Sequence, residues 1–157
     1  MTLLRPGDEF PALTATTADG QLDLPDALTG HFGVVLVNRG AWCPYCVAQL
    51  RSFQRAQPKL AEVDAKVVAL WVDDEPTTKE FIAKNGIAFP LGYGVDASAV
   101  AAATGAFVNP EPVFLQSTGF VLDPASRVMV SVYSSGAIGR LVPEDVVGMI
   151  RWVRSQG

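Results

Sequence analysis

Two short runs of mostly β-branched apolar residues constrain the fold of this chain more than any other feature. They cover residues 34–37 and 67–72, and a segment with helical spacing of apolar residues lies between them. Continuous apolar runs of this kind are typical of strands that are covered on both faces of a sheet. The sequence therefore predicts an α/β fold in which these two strands lie near the centre of the sheet.

The rest of the chain fits one layered domain over residues 1–157. This length, with 49% hydrophobic and 18% charged residues, is enough for one core. Pro58 lies inside the first predicted helix and removes a backbone hydrogen bond there, which predicts a kink at residues 54–57. The predicted elements are a hairpin over 11–24 around Asp19-Gly20, helices over 44–62, between Pro76 and Gly86 and over 143–154, and an antiparallel strand pair over 119–122 and 128–133.

Charge and cysteine content exclude several classes of function. The chain has 12 Lys and Arg against 16 Asp and Glu, a net charge of −4, and no basic run, so neither nucleic acid nor a membrane is expected as a partner. Two cysteines and one histidine are too few for a disulfide-stabilised scaffold or a structural zinc site. We therefore expect no cofactor. Because no apolar run approaches a membrane span or a signal sequence, we expect a cytoplasmic location.

The motif WCPYC at residues 42–46 joins the first central strand to a helix. Cys43 lies at or next to the helix N-terminus, where unpaired N–H groups favour the thiolate. We therefore expect its sulfur to be more accessible than that of Cys46 and the pKa of its thiol to lie below that of a free thiol. Cys46 follows in the first turn, within reach of a reversible disulfide. Arg39 adds a positive charge that stabilises a thiolate, and Trp42 can shield one side of the pair. These four residues form the predicted redox site.

Each of these residues also has a purely structural interpretation. The alternatives are that the cysteines are inert buried thiols or half of a metal site, that Arg39 is a surface or ion-pairing residue, and that Trp42 is a core residue. Asp73, in the acidic cluster 73–75 after the second central strand, is a weaker acid/base candidate, and the alternative is that this cluster marks the end of the strand and the N-terminus of the next helix. Residues 92–97 match a dinucleotide-binding turn, but a poor strand precedes them, so no nicotinamide site is predicted.

Three segments carry a resemblance to a known family: WCPYC after an apolar strand, the opening PGDEFPALTATTADG and the late block TGFVLDPASRV. Together they resemble the peroxiredoxin-like redoxins of the alkyl hydroperoxide reductase/thiol-specific antioxidant (AhpC/TSA) family over nearly the whole chain. The resemblance implies a thioredoxin fold, with a mixed central sheet, helices on both faces and an N-terminal β-hairpin extension. CPYC also resembles the glutaredoxin active site, whereas RGAW and the overall length are similar to the redoxins.

The resemblance also implies roles for both cysteines. Cys46 occupies the place of the peroxidatic cysteine of peroxiredoxins, Cys43 the place of a threonine or serine, and Arg39 the place of a proline. The usual peroxidase arginine falls near Ser117, so that group is missing unless Arg39 or another arginine substitutes. The cis-proline that faces the disulfide in thioredoxin-like reductases falls at the same place and is absent too, although Cys43 matches their attacking cysteine.

The sequence thus predicts a thiol-dependent oxidoreductase that cycles Cys43 and Cys46 between dithiol and disulfide. A peroxiredoxin-like peroxidase is favoured, in which Cys46 attacks a hydroperoxide, Cys43 resolves the sulfenic acid, and an external thioredoxin- or glutaredoxin-like thiol reductant restores both. The alternatives are a thioredoxin-like protein disulfide reductase with Cys43 as nucleophile, and a non-catalytic redox-sensing module. The oligomeric state, monomer or homodimer, stays open.

Oxidation is predicted to form an intramolecular disulfide between Cys43 and Cys46, because both sulfurs lie in one helical turn. Mass spectrometry of the oxidised monomer should show the loss of two hydrogens, reversed by a thiol reductant. Covalent dimers as the main product on a non-reducing gel would contradict this prediction and would indicate that cysteines of two chains react with each other.

Overall fold

Helices cover both faces of a central five-stranded sheet in the computed structural model, which describes residues 3–157. The strands are β1 (Leu13–Thr17), β2 (Gly20–Leu24), β3 (Phe32–Val37), β4 (Ala65–Leu70), β5 (Leu91–Gly92), β6 (Val108–Pro110), β7 (Val113–Leu115), β8 (Thr118–Leu122) and β9 (Val128–Tyr133). The helices are α1 (Pro44–Arg55), α2 (Gln57–Glu62), α3 (Glu75–Asn85), α4 (Ala97–Thr104) and α5 (Pro143–Gln156).

The two buried apolar runs form neighbouring strands of the central sheet, as predicted. The strand order is β5-β4-β3-β8-β9, in which β3, β4 and β5 are parallel and β8 and β9 are antiparallel to their neighbours. The second run is shifted, because β4 begins at Ala65 and ends at Leu70 rather than at Val72. The late antiparallel pair is confirmed as β8 and β9, and the mixed sheet confirms the thioredoxin fold.

Alternate residues of β3 serve two separate cores on the two faces of the sheet. Val34 and Leu36 belong to the core that α1, α2, α3 and α5 cover. Val35 and Val37 belong to the core that α4 and the β1–β2 hairpin cover. Since both faces are buried, the strand is apolar without interruption, which is the pattern from which it was predicted. Within residues 3–157, no helix is both long and apolar enough to cross a membrane.

The first predicted helix is divided in two near the predicted kink. α1 ends at Arg55, Ala56 separates the helices, and α2 begins at Gln57 with Pro58 in its first turn. Proline is accepted there because the first turn has no partners for its N–H groups. The side-chain Nε2 of Gln57 donates to the carbonyl oxygen of Phe53 at 3.1 Å and so replaces one of the backbone hydrogen bonds that the break removes. The other two predicted helices are confirmed as α3 and α5.

The N-terminal hairpin is confirmed, with its loop one residue earlier than Asp19-Gly20. Thr17 pairs with Gly20, so the loop is Ala18-Asp19, and Gly20 begins β2 with φ +119°. The hairpin lies against β5, where the Tyr93 N–H donates to the carbonyl oxygen of Thr16 at 3.0 Å.

Close packing explains the first glycine of the segment that matches a dinucleotide-binding turn. Gly92 ends a two-residue strand, and a Cβ atom there would lie 2.7 Å from the Cβ of Ala15 and 2.8 Å from Cδ2 of Leu70. The following helix α4 begins at the N-cap Asp96, which accepts from the N–H of Ser98 at 2.9 Å. β5, α4 and the β6–β7 hairpin are not predicted by the sequence patterns. The three strands are only two or three residues long, too short for a periodic pattern.

Replacing Gly92 by alanine is expected to destabilise the fold by about 1–3 kcal/mol, because the added methyl group overpacks the contact between the hairpin and the sheet. Urea unfolding measures the change. Gly148→Ala is the matched control: this position in α5 has open space for a Cβ, so the same substitution should be neutral or stabilise by up to about 1 kcal/mol. Equal stability of Gly92→Ala and the natural chain would refute this packing account.

Candidate active site

Four strand ends meet at one edge of the central sheet and build the site. Val37, the last residue of β3, lies opposite Leu70 at the end of β4 and opposite Thr118 at the start of β8. Thr118 in turn lies opposite Tyr133, the last residue of β9. The loops that follow β3, β4 and β9 and the residues that precede β8 therefore converge on the same place.

The cysteine motif occupies the N-terminus of α1, as the sequence predicted. Cys43 is the N-cap residue, with extended backbone, and its N–H donates to the carbonyl oxygen of Gly40 at 3.1 Å. Pro44 fills the first helical position. The N–H of Cys46 donates to Sγ of Cys43 at 3.4 Å, so one otherwise unpaired donor of the first turn points at a sulfur. Both cysteines are free thiols in this structure.

Neither sulfur is exposed to solvent. Cys43 and Cys46 are both 0% exposed, so the expectation of a solvent-accessible Cys43 is wrong, although Cys46 lies deeper in the chain than Cys43. The local sequence places Cys43 at an open helix end, but tertiary contacts close that end, because the guanidinium groups of Arg39 and Arg140 contact the sulfurs.

Arg39 contacts both cysteines. Its backbone N–H donates to Sγ of Cys46 at 3.2 Å, and Nη1 of its side chain lies 3.6 Å from Sγ of Cys43. Nε of the same guanidinium donates to Oε1 of Gln116 at 3.0 Å. The alternative of an ordinary surface arginine is therefore wrong, since the side chain is half-buried against the dithiol.

Trp42 lies over the arginine rather than in the core. It is 56% exposed, so the alternative of core packing is wrong. Its indole lies on Gly40, where any Cβ atom would fall 2.2 Å from Nε1, and it meets Phe114 edge to face at 5.0 Å. Cζ of Arg39 lies 4.9 Å from the Trp42 ring centre and 5.0 Å from that of Phe114. The predicted site residues are thus all brought together.

Arg140, which the sequence analysis did not single out, makes the shortest side-chain contact with the dithiol. Its Nη2 lies 3.0 Å from Sγ of Cys46 and 3.8 Å from Sγ of Cys43. Its Nη1 donates to Oε1 of Gln49 at 2.8 Å and to Oδ1 of Asn38 at 3.1 Å, and both of these amides are buried. A guanidinium held in this way has a fixed direction toward both sulfurs.

The two thiols have pKa values shifted in opposite directions. At Cys43 burial opposes ionisation, but the hydrogen bonds from Cys46 and Arg39 and the charge of Arg140 outweigh it and lower the pKa, as predicted. At Cys46 burial dominates and raises the pKa, although the N–H groups of Gly40 and Arg39 and the charge of Arg140 act against it. The first negative charge of the pair therefore resides on Cys43.

Asp73 holds the loop that carries the motif. One carboxylate oxygen accepts from the N–H of Ala41 at 2.7 Å, and burial raises the pKa of this carboxyl. Its neighbour Asp74 is the N-cap of α3 and accepts from the N–H of Thr77 at 3.0 Å, which confirms the helix-start interpretation of the acidic cluster. Within residues 3–157, no group of three or more His, Cys, Asp or Glu side chains is arranged to hold a metal ion.

The missed residues left only weak signals in the sequence. Gln49 is three residues after Cys46 in the same helix, so both fall on one face. Arg140 is 94 residues from Cys46, and no local pattern connects them. Its place in the loop after β9 indicates a role at the site only once the strand order is known, because the strand order shows that this loop starts at the edge of the sheet where the cysteines lie.

The fold and the paired thiols define a thioredoxin-fold protein with a dithiol at a helix N-terminus. The AhpC/TSA family model matches residues 6–131. A peroxiredoxin from Methanothermobacter thermautotrophicus is 31% identical over 154 residues, covering 94% of this chain and 72% of that protein. The chain therefore belongs to the AhpC/TSA family, and its relatives named peroxiredoxin are thiol peroxidases.

Solved structures show the same fold at lower identity. A cysteine-to-serine mutant of peroxiredoxin 6 from Arenicola marina superposes with a TM-score of 0.82 at 18% identity, covering 96% of this chain and 74% of that one. The peroxidoxin BcpB from Mycobacterium tuberculosis superposes with a TM-score of 0.81 at 21% identity, covering 96% and 99%.

Replacing Arg140 by methionine is expected to raise the pKa of both thiols, because the charge of Arg140 lowers both. Thiolate absorbance near 240 nm, followed against pH in the reduced protein, measures the shift. In Arg140→Lys the thiol pKa values should lie between those of the natural chain and those of Arg140→Met, since lysine keeps the charge but not the planar contacts. Arg127→Met, which removes an arginine paired with Glu9, is the matched control and should leave the titration unchanged. An unaltered titration in Arg140→Met would show that this guanidinium does not stabilise the thiolate.

Proposed function

We propose that this chain is a thiol-dependent peroxidase that reduces hydroperoxides by cycling Cys43 and Cys46 between dithiol and disulfide. The observation that carries the proposal is the position of Arg140, whose Nη2 lies 3.0 Å and 3.8 Å from the two sulfurs. A fixed cation beside the nucleophile stabilises both the thiolate and the negative charge that develops on the departing oxygen. Arg140 thereby supplies the group that the family places near Ser117.

The first step oxidises Cys46. The Cys46 proton passes to the Cys43 thiolate, and the Cys46 sulfur attacks the terminal oxygen of the hydroperoxide. The O–O bond breaks, Cys46 becomes a sulfenic acid, and the departing alkoxide takes the proton from Cys43 and leaves as an alcohol. Two contacts favour Cys46 in this role, the Arg140 guanidinium at 3.0 Å and the Arg39 N–H at 3.2 Å.

The second step forms the disulfide. The Cys43 thiolate attacks the sulfur of the Cys46 sulfenic acid, the S–O bond breaks, and hydroxide leaves. The lowered pKa of Cys43 favours the ionised form of this resolving sulfur after it has returned its proton. An external thiol reductant of the thioredoxin or glutaredoxin kind then restores the dithiol. A cytoplasmic location, where such reductants keep thiols reduced, is part of the proposal.

A small substrate fits this site better than a protein disulfide. Both sulfurs are fully buried, so a disulfide held in a folded partner has no direct approach to them. The backbone beside Ser117, where reductases of the thioredoxin kind carry their cis-proline, is bonded within the chain. The carbonyl oxygen of Ser117 accepts from the N–H of Ser134 at 2.9 Å, and the N–H of Gln116 donates to the carbonyl oxygen of Phe107 at 2.8 Å. These contacts favour a hydroperoxide as oxidant.

One observation favours the second candidate function, thiol exchange with a protein disulfide. The pKa is lowered at Cys43, which matches the attacking cysteine of thioredoxin-like reductases, and it is raised at Cys46. The two candidates therefore assign the first attack to different sulfurs. A single chemical trap distinguishes them.

Replacing Cys43 by serine is expected to leave a sulfenic acid on Cys46 that dimedone traps after one equivalent of hydrogen peroxide. The resolving thiol is then gone, and Arg140 and the Arg39 N–H still contact the Cys46 sulfur. Mass spectrometry locates the adduct, and Cys46→Ser is the matched control.

The outcomes separate the mechanisms. An adduct that forms only on Cys43, in Cys46→Ser, would assign the peroxide reaction to the thioredoxin-type nucleophile. If neither variant reacts faster than free cysteine, the peroxidase proposal fails. Reduction of an oxidised thioredoxin by the natural chain would then support disulfide exchange.

A further inference from the structure

The side chain of Arg39 is held in place by one polar contact besides the sulfur. Nε donates to Oε1 of Gln116 at 3.0 Å, while Nη1 lies 3.6 Å from Sγ of Cys43. Two aromatic rings also lie against the guanidinium. Cζ of Arg39 and the rings of Trp42 and Phe114 form a triangle with sides of 4.9, 5.0 and 5.0 Å.

The backbone of Gln116 is bonded on both sides. Gln116 is 8% exposed, its N–H donates to the carbonyl oxygen of Phe107 at 2.8 Å, and its own carbonyl oxygen accepts from the hydroxyl of Thr118 at 3.2 Å. From this anchored backbone the side-chain amide oxygen reaches Nε of Arg39 at 3.0 Å. The acceptor is also neutral, so it orients the guanidinium without cancelling the positive charge that faces the sulfur.

We infer that Gln116 is a positioning residue that holds Arg39 over Cys43, and that Arg39 with Trp42 forms the movable cover through which reagents reach the dithiol. Both sulfurs are fully buried, so some group has to move before any reagent reaches them. Trp42 is more than half exposed, and the Arg39 side chain is bonded to one amide, Gln116, whereas Arg140 is bonded to two buried amides, so fewer contacts have to break on the Arg39 side.

The inference deepens the proposed function, because a hydroperoxide has to pass the same cover. It predicts two effects of losing the Gln116 oxygen. The open population of Arg39 rises, so Cys43 is reached more often. The guanidinium also spends less time beside the sulfur, so the hydrogen bond that lowers the pKa of Cys43 weakens and the pKa rises.

The pH dependence of Cys43 alkylation by iodoacetamide separates these two effects and requires no peroxidase activity. The rate at high pH, where the thiol is fully ionised, measures access, and the midpoint of the profile measures ionisation. In Gln116→Leu we expect a high-pH rate about fivefold higher, which corresponds to losing one hydrogen bond of ordinary net strength. The midpoint should move to higher pH. Peptide mass spectrometry assigns the label to Cys43.

Three further variants identify the cause. Gln116→Glu keeps an oxygen facing Nε and adds a negative charge that holds the guanidinium at least as strongly, so its high-pH rate should not exceed that of the natural chain. In an Arg39→Leu background, Gln116→Leu should add nothing further, because the two changes remove the same contact. Thr17→Val removes a part-buried hydrogen bond from the Thr17 hydroxyl to the carbonyl oxygen of Gly20 within the N-terminal hairpin and should leave the profile unchanged.

An unchanged high-pH rate in Gln116→Leu would overturn the inference, as would an increase that persists in the Arg39→Leu background. If Gln116→Leu does not fold, Gln116→Asn provides the same test, since its oxygen stops one methylene short of Nε. A failure of the peroxide reaction would refute the proposed function and leave these alkylation results standing.

Discussion

The register of β3 against its two neighbours is the constraint on which the site depends. Val37 lies opposite both Leu70 and Thr118, so the end of β3, the end of β4 and the start of β8 share one edge of the sheet. The dithiol follows the first, Asp73 follows the second, and Gln116 precedes the third. Because both faces of the sheet are buried, a shift by one residue would exchange the two cores, and packing therefore enforces the register.

The dithiol is buried, yet the site favours a negative charge there. A buried thiolate is unfavourable unless donors surround it, and here the first turn of α1 and two guanidinium groups provide them. Within residues 3–157 neither arginine is paired with a carboxylate. Arg39 bonds to Gln116, and Arg140 bonds to Asn38 and Gln49, all of them neutral amides. Each guanidinium is thereby oriented while its whole charge remains available to sulfur.

The position of Arg140 explains how this member of the AhpC/TSA family lacks an arginine near Ser117 and still places one beside its cysteines. Thr118 at the start of β8 pairs with Tyr133 at the end of β9, so the loop after β9 begins next to the residues that precede β8. A side chain from either segment can reach the space above α1. The chemistry of the site is set by what occupies that space, and two distant segments of the chain have access to it.

The sequence by itself determined the features that follow from local patterns. These are the two buried central strands, the hairpin, the helix break just before Pro58 and the N-cap position of Cys43. Tertiary structure alone decided that Cys43 is buried and that Arg140 contacts both sulfurs. It also determined where the very short strands β5, β6 and β7 form, because only pairing with a neighbouring strand stabilises them. Residues 94 positions apart meet through strand order and register, and those depend on long-range packing that no local spacing encodes.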